Sequence, residues 1–205
     1  MREEQEAAVI AAVIAVVAED PASLTVATVA ERAGISRQTL YKQFSTLTLA
    51  VVAAHRWAVV ELGARIQRHM TAGQPPANGL ETLLGMADAL YEVYAADPAL
   101  LRFTSYYDFT YRVHQMTAAE REQHRLIPET EEGEGLDGVF LLGQSDGSVD
   151  PDLPVRVTSR AFSTSILGSV QRLQIQDDWT NGRDEAAREA YAALVRSWAA
   201  TFATP

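Results

Sequence analysis

The sequence contains no cysteine, which excludes disulfides, thiolate metal sites and a cysteine nucleophile. It is also nearly free of lysine, with Lys42 alone among 205 residues. A net charge of −10 argues against a protein that coats nucleic acid non-specifically, because neutralising phosphates takes lysine and arginine in number. Long hydrophobic runs are missing too. The apolar stretch Ala7 to Ala18 is too short to cross a bilayer, and the start, Met-Arg-Glu-Glu-Gln-Glu, is acidic where a secretory signal is basic. A cytoplasmic protein without a membrane partner is expected. Catalytic signatures are lacking as well. His55, His69, His114 and His124 include no pair three or four apart, as metal ligation on a helix requires. Neither His-Glu-x-x-His, Gly-x-Ser-x-Gly nor a glycine-rich phosphate loop occurs. No enzyme, cofactor or metal site is expected.

What is present is helical patterning over a chain that is 47% hydrophobic, enough for one large or two small domains with a real core. Residues 3 to 19 carry Val9, Ile10, Val13, Ile14 and Val17 at the spacing of a buried stripe. The most informative stretch follows, from Thr25 to Phe44. Thr25 is placed to cap a short helix whose Val26, Val29, Ala30 and Ala33 share a face. Gly34 supplies the positive φ that a tight turn needs, and Ile35 is positioned to drop between the helices. Ser36 then caps a second helix, Arg37 to Gln43, with Leu40 and Phe44 turned inward. Its outward residues are groove-reading types. Arginine and lysine pair with guanine edges, glutamine with adenine, and tyrosine and threonine reach phosphates. The candidate DNA contacts are therefore Thr25, Ser36, Arg37, Gln38, Thr39, Tyr41, Lys42, Gln43 and Thr46. The same stretch taken alone also fits a helical hairpin with a solvated polar face. Arg32, Arg37 and Lys42 against Glu31 leave it a local charge of +2 in an acidic chain.

The hydrophobic helix followed by Thr-Val-x-x-Val-Ala-x-x-Ala-Gly-Ile-Ser-x-x-Thr-Leu-Tyr-x-x-Phe resembles the amino-terminal domain of the tetracycline-repressor-like (TetR) family of transcription regulators, over about residues 7 to 57. That resemblance implies an all-α fold of about nine helices. It implies a three-helix helix-turn-helix DNA-binding domain at 1–46 and a larger ligand-binding and dimerisation domain at 47–205, with 47–70 as the connecting helix. The implied partners are double-stranded operator DNA, a small-molecule effector and a second copy of the chain. One departure stands out. Where the family commonly has a phosphate-binding lysine at the start of the connecting helix, this chain has Leu47 between Thr46 and Thr48. An activator, or an interaction protein of the same fold without sequence-specific DNA binding, stays open beside a repressor.

Thr71 to Asn78, with a glycine and two prolines, reads as a linker. Helices are expected over 79–96 and, after the Asp97-Pro98 start signal, over 98–115. A capping box at Thr117 to Glu120 starts a short helix to about Ile127, and the glutamate-rich 128–135 reads as a solvated loop. Val139 to Leu142 is expected as a short apolar segment and Gly143 to Leu153 as a loop, before final helices near 152–175 and 183–202. Seven aromatics crowd between Tyr91 and Tyr111. With the ligand domain that the resemblance implies, Tyr91, Tyr94, Phe103, Tyr107, Tyr111 and His114 are the candidate effector contacts, and Met86, Leu90, Phe140 and Phe162 candidate walls. The last two helices carry wide apolar stripes. By the same resemblance Ile166, Val170, Leu173, Tyr191, Leu194 and Trp198 are assigned to a homodimer interface, although a folding core accounts for the same residues.

Overall fold

The computed structural model describes residues 2–115, 134–173 and 185–203, with the backbone alone at 2, 112–115 and 134. All regular structure among them is helical. In chain order the helices are α1 (Arg2–Glu19), α2 (Val26–Arg32), α3 (Arg37–Gln43), α4 (Leu47–Ala72), α5 (Gly79–Ala96), α6 (Pro98–Tyr106), α7 (Glu134–Asp146), α8 (Val155–Leu173) and α9 (Glu185–Phe202). A short 3₁₀ turn, Pro21–Ser23, follows α1, and α6 continues as a π-helical stretch, Tyr107–Gln115. The chain divides into two compact units, Met1–Glu61 with Asp97–Ile127, and Leu62–Ala96 with Pro128–Pro205. Compactness is thus drawn elsewhere than the expected boundary after residue 46: α4 contributes to both units, and α6 joins the first.

In the first unit α1 packs on α2 and α6. Its core is built from Val9, Val13 and Val17 of α1, Val29 of α2, Leu40 of α3, Ala50, Val51 and Ala54 of α4, and Leu101 and Phe103 of α6. Arg102 closes the end of α1 by donating from Nη1 to the Ala18 carbonyl at 3.3 Å. By length and composition α4 could cross a membrane, alone in this among the described residues. Its buried small side chains supply this core instead.

The second unit is organised by an aromatic cluster. Phe140 of α7 meets Phe202 of α9 edge-on at 4.9 Å, and Phe162 of α8 meets Phe202 at 5.3 Å and Trp198 at 5.7 Å. Each such pair adds about 0.5–1.5 kcal/mol beyond its buried area. The Trp198 indole N–H is satisfied by Ser165 Oγ at 2.7 Å. Phe140 and Phe162, expected as pocket walls, are both members of this cluster.

Two expectations need correction here. Val139 to Leu142 is not an isolated apolar segment but the middle of α7, and the expected loop at Gly143 to Leu153 begins only after Asp146. Gly138 and Gly143 weaken the local helix signal by about 1 kcal/mol each, while packing against α5 and α8 supplies the stability. The segment 98–115 is helical as expected, but changes from α to π geometry at Tyr107. The short helix expected from Thr117, the 128–133 part of the acidic loop and the 176–182 connection lie outside the described residues.

The start of α5 is capped from across the unit. Gly79 N–H donates to Asp146 Oδ2 at 2.8 Å and Leu80 N–H to Ser148 Oγ at 3.0 Å, satisfying free amides of the first turn. The Ser148 hydroxyl, then the Gly79 and Ser148 amides, hold the Asp146 carboxyl below the usual aspartate range. A depressed folded-state pKa contributes stability in full above the unfolded value and loses it as pH falls through the folded one. The melting temperature is therefore expected to fall on acidification below about pH 4, the unfolded aspartate range. In Asp146→Asn that acid limb is expected to be shallower than in the wild type, as a melting series from pH 7 to pH 3 would check.

Candidate nucleic-acid interface and effector region

The helix-turn-helix forms because each local signal is used. Thr25 Oγ1 accepts from Thr28 N at 3.1 Å, and Ser36 Oγ accepts from Thr39 N at 3.1 Å. Between the helices Gly34 takes φ +67°, and Ile35 N–H reaches back to the Ala30 carbonyl at 3.0 Å. That six-to-one bond, with Gly34 in the left-handed region, is a Schellman termination. A Cβ at Gly34 would meet nothing within 4 Å, so the requirement is one of backbone conformation and not of space.

On α3 the structure sorts the expected readers. Arg37, Gln38, Tyr41 and Lys42 are exposed, Tyr41 with 52% of its surface, while Leu40 and Phe44 close the core beneath. Thr39 and Gln43 are half-buried. Ser36, Thr39 and Thr25 engage their hydroxyls in capping, and Thr46 caps α4 by accepting from Leu49 N at 3.2 Å. Gln43 turns toward α1, where its Nε2 donates to Gln5 Oε1 at 3.3 Å. Gln5 had no signal of its own in the sequence. Arg32, counted above in the local positive charge, is held by Glu19 in a two-pronged pair, with Nη1 to Oε1 at 2.7 Å and Nη2 to Oε2. The bond from Arg32 keeps the Glu19 carboxyl below its usual range. The positive charge presented by α3 therefore rests on Arg37 and Lys42.

The aromatic candidates fall in both units. In the first, Phe103, Tyr107 and Tyr111 are buried, and Tyr107 stacks on His55 of α4 with ring centres 3.7 Å apart and planes within 10°. Tyr111 lies parallel to Tyr107 at 6.2 Å. In the second, Tyr91 and Tyr94 are buried. Tyr91 meets Tyr191 at 4.8 Å, and the Arg188 guanidinium lies 5.5 Å from the Tyr91 ring centre while pairing with Glu92. Tyr191 donates its hydroxyl to the Ala87 carbonyl at 2.7 Å, and burial pushes its ionisation up. Burial, then the Glu92 carboxylate, raise the neighbouring Asp88, opposed by Arg188 and His69. The His114 side chain lies outside the described residues. His55 and Arg188 were not foreseen: nothing in their local spacing announces a stack or a cation over a ring. Among the described residues no group of three or more His, Asp or Glu is placed to hold a metal.

Of the residues assigned to a dimer face, Ile166, Val170, Leu173 and Tyr191 are buried within a single chain. Leu194 and Trp198 remain half-exposed.

No protein-family model matches the sequence, and no curated protein matches it. The structure, by contrast, superposes nearly end to end on known regulators. The ketosteroid transcriptional regulator KstR2 of Mycobacterium tuberculosis shares 21% identity at a TM-score of 0.63, over 98% of this chain and 95% of that one. A TetR family transcription regulator from Marinobacter aquaeolei VT8 shares 19% at 0.66, over 99% and 97%. The regulator FadR of Bacillus subtilis, in complex with stearoyl-CoA, shares 17% at 0.71, over 95% and 98%. The chain has the fold of the TetR-family transcription regulators.

Proposed function

We propose that this chain is a TetR-family member that acts as a ligand-responsive DNA-binding transcription regulator, a repressor released from a palindromic operator by a small, largely apolar or aromatic effector. The observation that carries the proposal is α3 itself: a serine-capped helix after a glycine turn, with Arg37, Gln38, Tyr41 and Lys42 exposed on one side and Leu40 anchored on the other. In this reading two copies pair through α8 and α9, with Leu194 and Trp198 at the contact and Ile166, Val170, Leu173 and Tyr191 as the core beneath. Their reading heads enter successive major grooves about 34–36 Å apart. An effector that binds one conformation of the dimer better shifts it off DNA by its differential affinity. The names of two structural neighbours, one a ketosteroid regulator and one holding stearoyl-CoA, support an effector with a large apolar part. In the first unit the proposed contacts are Tyr107 and Tyr111. The test is selection of bound duplexes from random DNA, repeated with a ketosteroid and with stearoyl-CoA: a selected sequence that one of them releases supports the proposal.

The rival is a protein of this fold that no longer reads DNA, favoured by Leu47 and by the capture of Arg32 by Glu19. Leu47 is half-buried at the first position of α4, where only the Thr46 hydroxyl and free amides face a phosphate. Leu47→Lys is expected to steepen the log-log salt dependence of operator binding by about 0.9 for each phosphate contact added. An unchanged slope contradicts that placement.

A further inference from the structure

We infer, resting on the DNA-reading proposal, that Gln43 is a positioning residue: through Gln5 it fixes the exit of the recognition helix, leaving the bases to the exposed face of α3. Helical spacing alone counts Gln43 among the readers. The structure argues otherwise on three grounds. Thr39 and Gln43, four residues apart, form the half-buried flank of α3, whereas Gln38, Tyr41 and Lys42 form the exposed one. Gln43 is also the last residue of the helix, and recognition helices touch base edges with their amino-terminal residues. Finally, a glutamine that reads adenine must offer both atoms of its amide, Oε1 to N6 and Nε2 to N7. Here Nε2 is engaged by Gln5, and Oε1 is enclosed without a hydrogen-bond partner. Turning both amides over exchanges the roles and still leaves one polar atom of Gln43 enclosed and unpaired.

That orphaned atom separates positioning from mere packing. A buried acceptor without a partner destabilises the fold, and an apolar side chain of similar shape removes the penalty. Gln43→Met keeps the length of the side chain, deletes the orphan and deletes the bond to Gln5. Stability and DNA affinity should then move apart. In the full-length chain Gln43→Met is expected to melt at or above the wild-type temperature. It should bind the duplex selected by the wild type about three- to tenfold more weakly, the scale of one pairwise coupling. Gln5→Met, altered at a half-buried site on α1, should lose the same factor, and the double variant no more than either. The base preference of all three, read from random-pool selection, should match the wild type at every position.

A preference lost at one base pair in Gln43→Met overturns the inference, because it makes Gln43 a reader. Unchanged affinity in Gln5→Met overturns it too, as does a melting temperature that falls together with affinity. If Gln43→Met does not fold, Gln5→Met decides alone. A wild type that selects no duplex fails the DNA-reading proposal and the inference with it, whereas selection by the wild type with either of the other outcomes fails the inference only.

Discussion

Arg37→Ala is expected to weaken binding to the selected duplex by about 10- to 200-fold and to flatten the preference at one base pair of each half-site. The estimate rests on chemistry and position. Arg37 opens α3, directly after the Ser36 cap, so its side chain leaves the turn that enters a groove first. A guanidinium that meets guanine O6 and N7 in a fork is worth about 1–3 kcal/mol of discrimination, which is the quoted range of affinity. Because Arg37 is exposed, its loss should leave the melting temperature unchanged, and the effect belongs to recognition and not to folding. Lys42→Ala provides the contrast. A phosphate contact weakens all sequences alike and lowers the salt slope by about one. Quantitative binding to a matched set of single-base variants separates the two patterns; equal losses across that set for Arg37→Ala would contradict a base contact.

The second large effect is on stability. Gly79 opens α5 against α7 so closely that a Cβ there would lie 2.3 Å from Gly143 N and 2.4 Å from Gly143 Cα. Both atoms are backbone, so nothing short of moving one helix off the other relieves the overlap. The same movement stretches the Gly79 and Leu80 bonds to Asp146 and Ser148. Gly79→Ala is therefore expected at the top of the range of about 1–3 kcal/mol typical of overpacking, or beyond it. For a chain of this length that is a fall in melting temperature of roughly 5–10 °C. Gly85 is the internal control in the same helix. A Cβ there would meet only the Met70 Sδ and Cε atoms at 3.1 and 3.2 Å, the far end of a flexible side chain. Gly85→Ala should be tolerated or stabilising, since alanine in a helix gains up to about 1 kcal/mol over glycine. Thermal unfolding followed by circular dichroism checks both, and equal melting temperatures for the two variants would contradict the close packing of α5 on α7.

The helix-turn-helix was legible because its determinants are local. Thr25, Gly34 and Ser36 act within three or four residues of themselves, and the helices between them end within one residue of where these signals place them. The helical content of the remainder was equally legible from periodicity and from Asp97-Pro98. What was not legible depends on partners far along the chain. α7 is held by the glycine contact with α5 and by the aromatic cluster with α8 and α9, so its own residues, broken by Gly138 and Gly143, looked like a loop. A wide apolar stripe says that a helix is covered on more than one side, not by what. Tyr191 illustrates this: its ring packs on Tyr91 and its hydroxyl bonds Ala87 within one chain. Gln43 is the same lesson at the site, an outward position on the helical wheel turned aside by Gln5, 38 residues earlier.

The central claim is that α3 reads DNA in pairs. Its most direct test is selection of duplexes by the purified full-length chain from a random pool. The account predicts enrichment of a palindrome whose half-sites lie about one helical turn, or a multiple of it, apart, and its loss in Arg37→Ala. No enrichment over the starting pool, or equal enrichment by Arg37→Ala, would contradict it.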